Sequence, residues 1–358
     1  MELNEFLKEA VEKKASDIHL REELPPAMRI DGRMVFSGAA PLGHEELMKF
    51  ISAMLKVDKA HKEMFDRSRE VDIGYTAEGV ARFRINFCHQ QGRLSIAMRR
   101  VLNSTELDFE KLSLPPILKQ LSLETRGFML VTGITGSGKT TTLSTMVNYI
   151  NCNRECHIVT VEDPIEIIHP RQKALVTQRE VITDTESYTS ALRNVVRQDP
   201  DVILIGEMRD AESVASGLKI AEAGHLVLST LHTTNAPETI NRIISFFPLE
   251  EADEIRSMIS GTLKAIVSQR LIPRASGTGR VPAVEIMINT ARVRDLIRLG
   301  ETEKIHRAIE EGTGYGMQTF DQSLSSLFKA DIISLETALS YATSPNDLRL
   351  SLQKQGLI

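Results

Sequence analysis

The chain has 358 residues, 42% hydrophobic and 25% charged, enough apolar material for the cores of two domains; this excludes disorder as its main state. Its 43 Lys and Arg against 48 Asp and Glu leave a formal net charge of −5, which argues against wholesale binding of nucleic acid or an anionic membrane. The three cysteines, Cys88, Cys152 and Cys156, can build neither a four-thiolate zinc site nor a disulfide framework, and a reducing cytosol is the expected home.

The first residues, MELNEFLKEAVEKK, carry charges throughout and lack the apolar core of a signal peptide. Apolar runs such as residues 202–205 are too short to span a bilayer, so any membrane link is expected to come through a partner. Residues 3–14 read as an amphipathic helix with Phe6, Ala10 and Val11 on one side, and residues 16–20 as a short strand. Pro25-Pro26 and residues 28–35 predict a hairpin, because Asp31-Gly32 suits a tight turn. Residues 44–65 read as helical and residues 71–101 as strands, which makes residues 1–102 a small α+β domain. Residues 103–116, polar at their start, aperiodic and ending in Pro115-Pro116, read as a linker. A helix over 117–123 opens a second domain, 117–358. There the short apolar runs 128–131, 157–161, 202–205 and 226–229 alternate with helices, the pattern of a parallel sheet buried on both faces. After Pro248 the chain reads as mostly helical. The fold class is α/β, with a small α+β domain in front.

Residues 133–140, GITGSGKT, fit the phosphate-loop pattern completely, with a strand before and a helix after. Gly133, Gly136 and Gly138 let main-chain N–H groups turn towards phosphate oxygens, and the helix N-terminus adds partial positive charge. Lys139 is expected to reach the β and γ phosphates and Thr140 to ligate Mg2+. Thr135, Ser137 and Thr141 complete the expected contacts with ATP. Such a loop needs carboxylates at neighbouring strand ends. Glu162 and Asp163 follow the strand at 157–161, which Pro164 stops. Glu207 follows the strand at 202–205 after one glycine, the form of a Walker B element, placed to hold Mg2+ through water and polarise the attacking water. Glu162 is the first choice for general base, and Asp163 serves either the same site or the loop itself. His232 lies just past the strand at 226–229, where it could bond the γ-phosphate. His225, at the other end of that strand, is the weaker candidate, and His61 and His169 take no assigned role.

Between residues 80 and 105 there is no acid but there are five arginines: Arg82, Arg84, Arg93, Arg99 and Arg100. Strict alternation puts Ala81, Phe83, Ile85 and Phe87 on one face of a strand and Arg82 and Arg84 on the other. That face fits ATP bound to a neighbouring subunit, with arginines as fingers, or a solvated sheet surface. Nucleic acid is disfavoured by the acidity of the chain and by its lack of Trp and its five Tyr.

The combination of GITGSGKT, VEDPIE (161–166), DPDVILIGEMRD (199–210) and AGHLVLSTLHTTNA (223–236) resembles the Walker A, Asp box, Walker B and His box of the secretion ATPase superfamily, which drives type II secretion and type IV pili. ASDIHL (15–20), PPAMRIDG (25–32), RFRIN (82–86), TLKAIVSQRLIPR (262–274), GRVPAVEIMINT (279–290) and GMQTFDQSL (316–324) extend the likeness over nearly the whole chain. It is strongest towards the pilus retraction motors, the PilT-like branch, because extension and secretion motors carry a long N-terminal region and a four-cysteine zinc motif.

The resemblance implies a cytoplasmic homohexamer at the inner face of the inner membrane, each subunit joining an N-terminal PAS-like domain to a RecA-like ATPase core. The ring would dock on an inner-membrane pilus platform protein, and the domains would move about residues 103–116. It further implies Glu162 as catalytic glutamate, Glu207 as Walker B glutamate, His232 as γ-phosphate sensor and Arg82, Arg84 and Arg99 as fingers acting in trans. Residues 291–297, ARVRDLI, align with the retraction motif AIRNLI, Asp295 replacing its asparagine. An accessory, PilU-like retraction ATPase and an extension or secretion ATPase are the alternatives within the superfamily. A nucleotide-switched scaffold and a nucleic-acid translocase lie outside it.

Overall fold

The computed structural model describes residues 2–30, 32–55 and 59–358. Asp31, half of the predicted hairpin turn, lies outside the described residues, as do 56–58 of the predicted helix 44–65. The chain divides into two units: Met1–Asn103 with Glu162–Ile168 and Arg179–Ser187, and Ser104–Val161 with His169–Gln178 and Tyr188–Ile358.

The first unit runs α1 (Leu3–Glu12), β1 (Asp17–Arg21), β2 (Ala27–Ile30), β3 (Arg33–Phe36), α2 (His44–Met54), α3 (Lys59–Ser68), β4 (Glu70–Ala77), β5 (Ala81–Gln90), β6 (Arg93–Arg100) and β7 (Leu102–Asn103). Strands β1 to β6 form one antiparallel sheet in the order β3-β2-β1-β6-β5-β4. The alternation in β5 works as its sequence requires: Phe83, Ile85 and Phe87 are buried, while Arg82, Arg84 and Asn86 are half-buried on the other face. The apolar face, continued by Ile18, Leu20, Ile96 and Met98, packs on Phe6, Leu7, Leu47, Phe50 and Phe65 of the helices. Each such side chain contributes roughly 1.5–3 kcal/mol on burial. β7 pairs in parallel with Ile167–Ile168.

The second unit is built around a seven-stranded sheet. Its elements are α4 (Ile117–Ser122), β8 (Gly127–Thr132), α5 (Lys139–Asn153), β9 (His157–Glu162), β11 (Leu175–Glu180), α6 (Tyr188–Val195), β12 (Val202–Ile205), α7 (Ala211–Glu222), β13 (Leu226–Leu231), α8 (Ala236–Ser245), α9 (Ala252–Thr262), β14 (Leu263–Pro273), β15 (Arg280–Ile288), α10 (Ala291–Leu299), α11 (Ile305–Glu311), α12 (Phe320–Lys329), α13 (Leu335–Tyr341) and α14 (Pro345–Lys354), while the short β10 (Ile167–Ile168) between β9 and β11 belongs to the first unit. The sheet order is β11-β9-β12-β13-β8-β14-β15. From β9 to β14 neighbours are parallel; β15 is antiparallel to β14.

Successive residues of each central strand serve opposite faces. Phe128, Leu130, Ile203 and Val227 pack with Leu218, Ile240 and Ile259 of α7, α8 and α9. Met129, Val131, Val202 and Leu226 pack with Leu121, Leu143, Met146 and Ile150 of α4 and α5. Phe109 and Leu114 join that second layer, so residues 104–116 fold onto this unit although their spacing shows no period. The stretch after Pro248, read as mostly helical, contains two strands of eleven and nine residues between α9 and α10. A strand buried on both faces is a continuous apolar run, which periodicity cannot separate from a buried helix. Among the described residues no helix is long and apolar enough to cross a membrane.

Candidate active site

β8 ends at Thr132 and the chain turns at once through Gly133, with φ +147, and later Gly138, with φ +91. These glycines also supply room. A Cβ at Gly133 would lie 2.5 Å from both Gln269 O and Ser137 Oγ, and one at Gly138 2.8 Å from Gln269 Nε2. Lys139 opens α5 immediately after this left-handed residue and is only 8% exposed. Its ammonium donates to Gly133 O at 2.8 Å and Ile134 O at 3.1 Å, so the loop wraps its own lysine. The Ser137 hydroxyl is buried without a hydrogen-bond partner, which suits an acceptor-rich ligand such as phosphate. Thr140 and Thr141 follow on the first turn of α5, half-buried, and Thr135 is exposed at the loop tip beside Gly136.

Two strand ends bring further groups to Lys139. Ser229 Oγ donates to Ile205 O and Thr230 Oγ1 to Gly206 O, tying β13 to the end of β12 and the turn that carries Glu207. His232, one residue beyond β13, lies with Nδ1 3.5 Å from Lys139 Nζ and Nε2 3.4 Å from Glu207 Oε2. An ammonium can only donate, so Nδ1 accepts and the neutral ring's proton sits on Nε2, facing the carboxylate. The sequence motifs thus converge: Walker A lysine, His box histidine and Walker B glutamate form one polar chain. Glu207 also pairs with Arg209, which the sequence reading did not single out. His225, at the far end of β13, bonds Pro200 O instead.

Gln269 on β14 is a second residue that reading missed. It is buried, donates through Nε2 to Ser137 O at 2.8 Å and accepts from Thr142 Oγ1 at 2.7 Å, forming the floor of the phosphate loop. Its signal lay in the SQR of residues 268–270, quoted for the family likeness without a role.

Glu162 and the arginines belong to the first unit. Glu162 ends β9 and is 6% exposed, and its carbonyl accepts from Val181 N at 2.9 Å. Asp163 precedes Pro164 through a cis peptide. Each arginine expected as a finger meets a carboxylate of its own unit: Arg82 with Glu180 at 2.5 Å, Arg84 with Glu166 at 3.1 Å and Arg99 with Asp17 at 2.8 Å. The Arg99 guanidinium beside Asp17 holds that carboxyl below its ordinary range against the desolvation that pushes it up. Arg99 remains 73% exposed, whereas Arg82 is largely enclosed. The hydroxyl of Thr140 and the carboxylate of Glu207 are hard oxygen donors, the set a magnesium ion takes.

A family model described as type II/IV secretion system protein matches residues 1–319. The chain is 43% identical over 347 residues to a Pseudomonas aeruginosa protein described as type IV pilus retractation ATPase PilT, covering 97% of this chain and 100% of that one. It is 40% identical over 353 residues to the type IV pilus ATPase PilU of the same bacterium, covering 99% and 92%. Among solved structures, that of the pilus retraction motor PilT with bound ADP matches at a TM-score of 0.89 and 40% identity, covering 98% of this chain and 99% of that one.

Proposed function

Because the chain belongs to the type II/IV secretion system protein family, we propose that it is an ATP-hydrolysing motor that powers type IV pilus retraction. The observation that carries this reading is the chain from Lys139 through His232 to Glu207. It links the group that grips the triphosphate to the group that handles water.

On ATP binding, main-chain N–H groups of the loop take the phosphate oxygens, and Lys139 exchanges the carbonyls of Gly133 and Ile134 for the β and γ phosphates. His232, one contact away, then senses whether the γ-phosphate is present. Glu162 takes the proton of the attacking water, and Glu207 orients that water. Thr140 and Glu207 are the residues that would hold Mg2+, which supplies neutralisation of charge on the transferring phosphoryl group. Arg84 and Arg99, and Arg82 if released from Glu180, are the candidate fingers. The working form is a homohexameric ring on the cytoplasmic face of the inner membrane, bound to a pilus platform protein.

Lys139→Ala and Glu162→Ala should each abolish steady-state ATP hydrolysis in protein that keeps its circular dichroism. A strain carrying either should hold its pili and lose twitching motility. Hydrolysis at the wild-type rate in folded Glu162→Ala would remove the general-base assignment. The 40% identity to PilU and the Asp295 departure from the retraction motif favour an accessory retraction ATPase as the second reading. Loss of motility with retention of retraction force in a deletion strain would select it.

A further inference from the structure

A buried ion pair stands behind the loop that carries Glu162. Arg82 on β5 donates through Nη2 to Glu180 Oε2 at 2.5 Å; the side chains are 20% and 3% exposed. The same Oε2 accepts from Ile165 N at 3.1 Å, and Thr183 Oγ1 donates to Oε1 at 3.4 Å. The guanidinium is so enclosed that its Nε is buried without a partner. Asp184 holds Glu180 from behind by accepting its N–H at 2.8 Å. A carboxylate this deep persists only with its charge met and its lone pairs filled, and Arg82 meets the charge.

Gly74 on the neighbouring β4 is the independent sign that the pair is built in. Its backbone is not left-handed, so conformation does not call for glycine there. A Cβ would collide with Arg82 Nη2 and lie 2.7 Å from Glu180 Oε2. The missing side chain is the space that the ion pair fills.

The segment 162–168 is therefore fastened to the end of β11 and the residue after it: Ile165 N to the carboxylate of Glu180, and Glu162 O to Val181 N. Two positions along β5, Arg84 meets Glu166 of the same segment. We propose that Arg82 is a positioning residue that acts through Glu180, fixing the loop that presents Glu162, and does not itself reach the nucleotide. This deepens the ATPase reading and rests on it. It also divides the arginines: Arg82 anchors, and the more exposed Arg84 and Arg99 are left as candidates for a ligand.

The test is steady-state kinetics of the full chain with ATP and Mg2+ for Gly74→Ala, Glu180→Gln, Arg82→Ala and the double variant Arg82→Ala/Glu180→Ala, each checked for folding by circular dichroism. Both Gly74→Ala and Glu180→Gln should lower kcat by roughly 10–100-fold, the cost of a misplaced catalytic group, with KM held within about twofold. The double variant should be no worse than Glu180→Ala measured beside it, because Glu180 alone also holds Ile165 N. Amide exchange should quicken in 162–168 and not in 133–141. An arginine that touches ATP directly predicts the opposite: wild-type kcat in Glu180→Gln, or losses that multiply in the double variant, would overturn the proposal. Should wild-type protein itself not turn over ATP, the ATPase reading fails. The exchange measurement, which needs no turnover, then still decides the anchoring: unchanged exchange at 162–168 in Glu180→Gln and Gly74→Ala rejects it.

Discussion

Gln269 shows what one side chain can hold together. Its amide satisfies the carbonyl of Ser137 and the hydroxyl of Thr142, both inside the unit and out of reach of water. Gln269→Leu leaves both unmet, so stability should fall by about 1–3 kcal/mol per lost partner, read by urea unfolding, and KM for ATP should rise. Lys139, Thr140 and the glycines were legible in the sequence because they are contiguous and their chemistry is local. Gln269 was not, because it reaches Thr142 across 127 positions and no local pattern announces the contact. His169 carries a pH signature of its own. Burial lowers its pKa from 6.5 to about 4, and its Nδ1 is buried without a partner. Between those values the unfolded chain takes up a proton that the native chain refuses, so stability is whole above 6.5 and is lost as the pH falls towards 4. Denaturant midpoints measured across that window should fall more steeply for wild type than for His169→Gln.

At the scale of elements, α10 separates the two halves of the retraction-type motif. Val293, Leu296 and Ile297 are buried, while Arg292, Arg294 and Asp295 face outward. Asp295 pairs with Arg298, an exposed contact three residues apart, whereas Arg292 reaches Glu311 on α11. Asp295→Asn should therefore shift stability by no more than about 0.5 kcal/mol and leave ATP turnover unchanged. Leu296→Ala should cost about 2–5 kcal/mol, seen as a lowered thermal midpoint. The helix itself is legible from its apolar spacing, as is the arginine face of β5 from strict alternation. β14 and β15 were hidden for the opposite reason: with both faces covered, alternation disappears, and the buried polar residues Ser268, Gln269 and Glu285 interrupt their apolar runs.

For the whole molecule, ligand linkage gives the broadest check. A ligand bound only by the folded form at 100 times its Kd adds about 2.7 kcal/mol, so ATP with Mg2+ should raise the thermal midpoint of wild type and not that of Lys139→Ala. The assignment of 162–168 and 179–187 to the first unit is the feature no sequence pattern conveyed, since short polar loops name no partner. It bears on how the protein is made. A ribosome that has released residues 1–103 has delivered Arg82 but neither Glu180 nor the strand at Ile167–Ile168 that β7 pairs with. The amino-terminal piece must wait, with Arg82 lacking its carboxylate, while the phosphate loop and its flanking strands emerge. Only after residue 187 has been translated can it close, so its maturation is tied to that of the neighbour it precedes.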